Sequence, residues 1–184
     1  KKPIVATIGD STFLHSGVAP LIDAVYNKAN ITVVILDNSI TAMTGGQDHP
    51  GTGRTLRGEP THKVDYETIC RAVGVEWVRK ADPYEVGHLY QTLREAIIHK
   101  GLSVVIAERP CVLDPVKIKG QPLAVKAEGC IACQACMNLG CPSITWADEM
   151  HEGHHKVTIE ASTCIGCTLC AQLCPTDCIQ PVLS

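Results

Sequence analysis

Eleven cysteines are the most chemically loaded feature of this 184-residue chain, and eight of them fall in two tight runs after residue 129. The first run is Cys130, Cys133, Cys136 and Cys141-Pro142; the second is Cys164, Cys167, Cys170 and Cys174-Pro175. Their first three cysteines repeat with a period of 34 residues, and the second run fits CxxCxxCxxxCP throughout. Thiolates are soft ligands suited to iron, and two-residue gaps let a tight turn aim three sulfurs at one cuboidal cluster while a fourth arrives from across the domain. In this two-cluster pattern the fourth cysteine of each run serves the other cluster. That assigns Cys130, Cys133, Cys136 and Cys174 to one [4Fe-4S] cluster, and Cys164, Cys167, Cys170 and Cys141 to a second. Two zinc sites are the competing reading, but zinc rarely needs three cysteines in series followed by Cys-Pro. Cys70, Cys111 and Cys178 stand apart from that spacing and read as ordinary buried thiols.

A second candidate lies near the start, where the apolar run in "VATIGDSTFLHSG" stops at Gly9-Asp10-Ser11. An acid after a strand is most often a turn former or a helix N-cap, which needs no ligand. Asp37-Asn38 ends a later apolar run in the same way. If both runs are neighbouring strands, a carboxylate and an amide oxygen face one crevice, a hard-oxygen set that suits Mg²⁺ shared with phosphate.

The elements that must position these groups follow from hydrophobic spacing. Ile4–Ile8, Ile31–Leu36, Val75–Val78 and Leu102–Ala107 are short apolar runs rich in β-branched residues, the pattern of strands covered on both faces. Between them Val18, Leu21, Ile22, Val25 and Ala29 form one helical stripe, and Val86, Leu89, Tyr90, Leu93, Ala96 and Ile97 form another; Tyr66–Val73 reads as a short helix. Alternating strands and helices predict an α/β domain with a doubly wound, mostly parallel sheet, whose ligands sit beyond the strands' carboxyl ends. The stretch "SITAMTGGQDHPGTGRTLRGEPT", residues 39–61, has no periodicity and is too long for an ordinary connection. The expected division is a first domain over 1–111, a linker over 112–127 and a small α+β ferredoxin-like domain over 128–184. In the last of these, "TWADEMHEGHHKVTIE" reads as a solvated hairpin whose tip carries His151, His154 and His155.

Charge is divided along the same line. Residues 1–127 carry net +2 and residues 128–184 net −5. Neither part is basic enough for a nucleic-acid footprint, and one Phe and two Trp leave little aromatic surface for stacking bases. There is no apolar run of membrane-spanning length and no signal-type stretch, so a soluble, cytoplasmic protein is expected, with metal ligation favoured over disulfides. The start at Lys1-Lys2-Pro3, without Met, suggests an excised part of a longer polypeptide.

Residues 128–184 resemble bacterial two-cluster ferredoxins, departing in the extra residue before Cys141 and in the lengthened middle. Asp10 and Asn38 resemble the thiamine diphosphate signature, Gly-Asp-Gly followed by Asn, with Ser11 replacing the second Gly. The resemblance implies that Asp10, Asn38 and the carbonyl of Ile40 hold the magnesium diphosphate, with Gly9 and Ser11 beside it. "TAMTGGQDHPG" looks like the loop of 2-oxoacid:ferredoxin oxidoreductases, which would place Thr44, Gly45 and Gln47 near the cofactor. Together, in this order, the motifs resemble the C-terminal part of the alpha subunits of indolepyruvate ferredoxin oxidoreductases, over nearly the whole chain. That implies oxidative decarboxylation of an arylpyruvate to an acyl-CoA, with thiamine diphosphate, Mg²⁺ and two [4Fe-4S] clusters passing electrons to an external ferredoxin. It also implies coenzyme A, a 2-oxoacid substrate, a second (beta) subunit, and a pyrimidine-binding domain outside this chain that brings the activating glutamate. No catalytic side chain is assigned within the chain. His15 and His49 fall near the expected site, where each either contacts substrate or bonds to backbone, the second being the favoured reading. An electron-transfer module on the same scaffold without its own turnover is the alternative. A non-oxidative thiamine decarboxylase is a third, but it has no use for iron clusters.

Overall fold

The computed structural model describes residues 2–113 and 120–182. The chain divides into two units, residues 1–117 and 118–184. In the first, β1 (Val5–Gly9), β2 (Thr32–Asp37), β3 (Trp77–Ala81) and β4 (Ser103–Glu108) form a wholly parallel sheet in the order β1-β2-β4-β3. A helical turn α1 (Asp10–Thr12) and a π-helical stretch Phe13–Gly17 run into α2 (Val18–Tyr26); α3 (Tyr66–Ala72) precedes β3, and α4 (Val86–Ile98) joins β3 to β4.

The sheet has two buried faces because its strands alternate. Ile35, Val104 and Ile106 point into one core with Phe13, Leu21, Tyr66 and Cys70, so α2 and α3 lie on that face. Val34, Val105 and Ala107 point the other way onto Ala96, with Leu89 and Leu93 of α4. This division follows from handedness. The chain moves one way across the sheet from β1 to β2 to β3, then returns to insert β4, and a right-handed crossover in the reverse direction must carry its helix on the opposite face. The hydroxyls of Thr32 and Ser103, both buried, lie 2.9 Å apart and 3.2 and 3.0 Å from the Ala96 carbonyl, and the two protons they donate within this triangle tie α4 to β2 and β4.

Two strands differ from expectation. β1 is an edge strand of this sheet, not covered on both faces; Ile4 is 61% and Val5 44% exposed. β3 begins at Trp77 and runs through Arg79 and Lys80, whereas Val75 is a buried loop residue before it. As the other edge, β3 carries charged side chains where a central strand could not.

The second unit is built from two antiparallel pairs. β5 (Leu123–Val125) pairs with β8 (Ile179–Pro181), and β6 (Ile144–His151) with β7 (His154–Ile159) in the expected hairpin; α5 (Leu169–Gln172) is a single turn. The linker expected over 112–127 is thus part strand, while residues 114–119 of it lie outside the described residues. The core holds Leu123, Ile144, Val157 and Ile179 together with Cys130, Cys136, Cys170 and Cys178.

Candidate functional site

The register of β1 with β2, Gly9 opposite Leu36, sets Asp10 beside the Asp37-Asn38 end of β2. Asp10 is 3% exposed. It is not an N-cap: Gly9 holds that position and makes no side-chain cap bond. The Ser11 amide donates to Asp10 Oδ1 at 2.7 Å, and the Asn38 amide donates across the strands to Oδ2 at 3.1 Å. Asn38 Oδ1 accepts the Ile40 amide at 3.1 Å, folding the chain into an Asx-type turn. The Asp10 carboxylate and the Asn38 amide oxygen are hard ligands of the type that fits Mg²⁺. Asp37 is buried too, and its carboxyl is raised above the usual range by burial, partly offset by the Ser39 amide and by Lys63.

Of the remaining residues expected here, Thr44, Gly45 and Gln47 form a separate exposed turn. The Thr44 hydroxyl donates to Gln47 Oε1 at 2.7 Å, and Gln47 Nε2 donates back to the Thr44 carbonyl at 2.6 Å. Gly45 sits at φ 119°, where an L side chain is strained. His15 is exposed and donates from Nδ1 to the Ser11 carbonyl at 2.7 Å, as expected of a backbone-bonded histidine.

His49 is more than backbone-bonded. It is 5% exposed, and its Nε2 lies 3.3 Å from Asp10 Oδ2. That contact is poorly aligned: Nε2 and the Tyr66 hydroxyl are the buried side-chain polar atoms without a hydrogen-bond partner among the described residues. Burial pushes the Tyr66 phenol up from its ordinary value, and the carboxylates of Asp37, Asp10 and Glu108 add to it. Such orphaned polar atoms beside a buried carboxylate mark a place where a polar partner is missing. Spacing in the sequence carries no signal for His49 or Tyr66, since each comes from a segment without fixed distance to Asp10.

In the second unit Cys130, Cys133, Cys136 and Cys174 line one cavity, joined there by Cys178. Burial raises the Cys136 thiol, and Cys133, Cys130 and Cys174 raise it further as neighbouring charges. Cys178, expected as an ordinary buried thiol, has its sulfur 3.4 Å from that of Cys174. Burial pushes Cys170 up to about 11, with Cys167 and Cys164 adding; Cys141 and Cys164 pack on the same core. The Leu123 amide donates to Cys164 Sγ at 3.4 Å. Ala132, Gln134 and Thr168 take left-handed conformations at φ 51°, 62° and 63°, uncommon for residues other than glycine, where the chain turns between cysteines. Among the described residues no three His, Cys, Asp or Glu side chains converge tightly enough to hold an ion by themselves. The donors fit iron–sulfur ligation by type, and those of the first set also by the cavity they share.

No helix among the described residues is long and apolar enough to cross a membrane. Residues 1–107 match the family model of the thiamine pyrophosphate enzyme C-terminal TPP-binding domain, and residues 116–178 match a 4Fe-4S dicluster domain. The chain is 45% identical over 98% of its length to indolepyruvate oxidoreductase subunit IorA of Archaeoglobus fulgidus, and 43% identical over 97% to that of Methanothermobacter marburgensis. It spans 29% and 28% of those relatives' lengths. A 2-oxoacid:ferredoxin oxidoreductase beta subunit of Saccharolobus solfataricus is 28% identical over 59% of this chain and 37% of its own. Among solved structures, the 2-oxoglutarate:ferredoxin oxidoreductase of Magnetococcus marinus shares the fold, with a TM-score of 0.52 at 22% identity, over 56% of this chain and 38% of that one. With more than half its residues matched to that TPP-binding domain, this chain belongs to the thiamine pyrophosphate enzyme family.

Proposed function

We propose that this chain is the diphosphate-binding and iron–sulfur portion of a 2-oxoacid:ferredoxin oxidoreductase of the indolepyruvate type. It oxidatively decarboxylates arylpyruvates to acyl-CoA in concert with a pyrimidine-binding domain and a beta subunit, and passes electrons through two [4Fe-4S] clusters to ferredoxin. Residues 1–111 are the thiamine diphosphate domain and residues 128–184 the ferredoxin domain, acting in the cytoplasm. The observation that carries this reading is that one chain holds both Asp10 against Asn38 at adjacent strand ends and a cysteine core with two CxxCxxC runs.

Asp10, Asn38 and the Ile40 carbonyl hold Mg²⁺ and, through it, the diphosphate; Gly9, Ser11, Thr44, Gly45 and Gln47 border the cofactor. Bound thiamine diphosphate supplies a stabilised carbanion and an electron sink for decarboxylation. The protein's share is to anchor and to exclude water: Asp10 is buried, so its interaction with a cation is stronger than it would be in water. Cys130, Cys133, Cys136 and Cys174 hold one cluster, and Cys164, Cys167, Cys170 and Cys141 the other.

Calorimetry on the whole complex tests the anchor. Wild-type protein takes up thiamine diphosphate only with Mg²⁺, and Asp10→Ala loses that uptake. Turnover with indolepyruvate, pyruvate and 2-oxoglutarate, in the presence of coenzyme A and an electron acceptor, tests the substrate class, and iron and sulfide analysis tests the cluster count. If neither protein binds the cofactor, an electron-transfer module is what remains.

A further inference from the structure

The imidazole of His49 is tied through one of its nitrogens, and that contact defines its tautomer. The Gly51 amide donates to Nδ1 at 3.2 Å, so Nδ1 carries a lone pair and the proton of the neutral ring is on Nε2. Nε2 lies 3.3 Å from Asp10 Oδ2, off the line of a hydrogen bond, and the side chain is 1% exposed. The ring has no room to turn away. A β-carbon at Gly51 would stand 3.0 Å from His49 Cε1 and 2.9 Å from Tyr66 Cζ, so the backbone at Gly51 and the Tyr66 ring close off the Cε1 edge.

The segment carrying His49 is itself braced. The Thr52 amide and hydroxyl both donate to the His49 carbonyl at 2.9 Å, Arg54 pairs with Asp48 at 3.0 Å, and the Val64 amide donates to the Pro50 carbonyl at 3.0 Å. A carboxylate offers roughly four acceptor directions. At Asp10 the amides of Ser11 and Asn38 occupy one direction on each oxygen and His49 Nε2 stands beside Oδ2, so the open direction for a cation is on Oδ1.

We propose that His49 is a positioning residue for the cofactor's metal: tied to Gly51 through Nδ1, it keeps an unpartnered Nε2–H beside Asp10 Oδ2, and that oxygen takes up the hydrogen bond when Mg²⁺ settles the carboxylate, fixing which oxygen lone pair faces the ion. This rests on the function proposed above and adds a residue to it. Hydrogen-bond partners of metal-ligating carboxylates act by fixing the ligand's orientation, and removing them typically lowers metal affinity about 10–100-fold.

Three substitutions in the whole complex separate this role from a merely structural one. In His49→Asn the amide oxygen can still accept the Gly51 N–H and keep the turn, but nothing reaches Asp10. In His49→Gln the longer side chain can place its N–H where Nε2 stands. His49→Leu removes both contacts. The readout is the Mg²⁺ concentration that half-saturates thiamine diphosphate binding, measured by calorimetry, with the melting temperature recorded alongside. The expected result is an Asn variant that melts near wild type yet needs about 10–100-fold more Mg²⁺, with the Gln variant nearer to wild type than Leu. An Asn variant with wild-type Mg²⁺ dependence, or a Gln variant as impaired as Leu, overturns the proposal while leaving the functional reading standing. Wild-type protein that takes up no thiamine diphosphate with Mg²⁺ overturns both.

Discussion

Gly51→Ala adds one methyl group at the place where the loop, α3 and the strand ends meet, and the cost of that methyl can be worked from the structure. Gly51 has an ordinary backbone conformation, so the penalty is contact alone. The new carbon would lie 2.9 Å from Tyr66 Cζ and 3.0 Å from His49 Cε1, closer still to the Tyr66 hydroxyl, against about 3.5–4.0 Å for carbons in contact. Neither ring is a flexible tip. Tyr66 is 3% exposed and packs against Phe13 with ring centroids 6.0 Å apart, and His49 is held as described. Relief must come from ring or backbone shifts, which cost about 1–3 kcal/mol in a packed core. With a urea slope of about 1–3 kcal/mol/M, the midpoint falls by roughly 1 M. Trp77 lies in β3 and Trp146 in β6, so fluorescence in a Trp146→Phe background reports the first unit. Gly87→Ala is the matched control: Gly87 is in α4 with open space around it, and the same methyl there should stabilise by about 0.5–1 kcal/mol. A Gly51→Ala protein as stable as wild type would refute the packing argument.

Further outcomes follow from other parts of the fold. Asp65 caps α3 by accepting the Thr68 amide at 2.7 Å, and Lys80 beside it, followed by that amide, holds its carboxyl down at about 2. A depressed pKa contributes stability above the unfolded value of about 3.9 that is lost as pH falls through about 2, so Asp65→Ala should cost about 1 kcal/mol at pH 7 in urea unfolding and nothing measurable below pH 2. The Lys80 pair adds little to this, because its side chains are 38% and 47% exposed. Phe13→Ala removes a ring that is 1% exposed and should cost about 3–5 kcal/mol by the same assay. Cys70 is fully buried, and burial pushes its thiol up to about 11, so iodoacetamide at pH 8 should leave it unmodified in native protein and modify it in urea, as read by mass spectrometry of peptides.

The parts of the fold that could be read in advance are those where one physical signal dominates. β2 and β4 are central, so both faces demand apolar side chains, and the runs Ile31–Leu36 and Leu102–Ala107 announce them within a residue. β3 was harder because an edge strand must face water: its Arg79 and Lys80 break the run, while Val75 looks like strand but fills the core from a loop. β1 misled in the opposite sense, being as apolar as a central strand yet exposed along this sheet's edge. The cysteine runs were legible because ligation fixes spacing locally. Cys178 was not, since its approach to Cys174 depends on a left-handed Asp177 at φ 50° that no composition rule anticipates.

The strand-end site shows the same limit from the side of electrostatics. Parallel strands align their carboxyl ends, so β1, β2 and β4 deliver Asp10, Asp37 and Glu108 to one edge of the sheet simply by being in register. Two of the three are buried, and burial first, with Asp10 and Glu108 adding, lifts the Asp37 carboxyl. Lys63 and Lys80 reach Glu108 at 3.9 and 3.8 Å, and Lys63 also steadies Asp37, but Asp10 takes hydrogen bonds from two amides, with the His49 imidazole beside it. A buried carboxylate matched only by neutral donors gains most from a cation brought to it. On the function proposed above, a divalent ion with a phosphorylated cofactor would occupy this edge, and the loop that supplies His49 would matter there as much as the strands that supply Asp10.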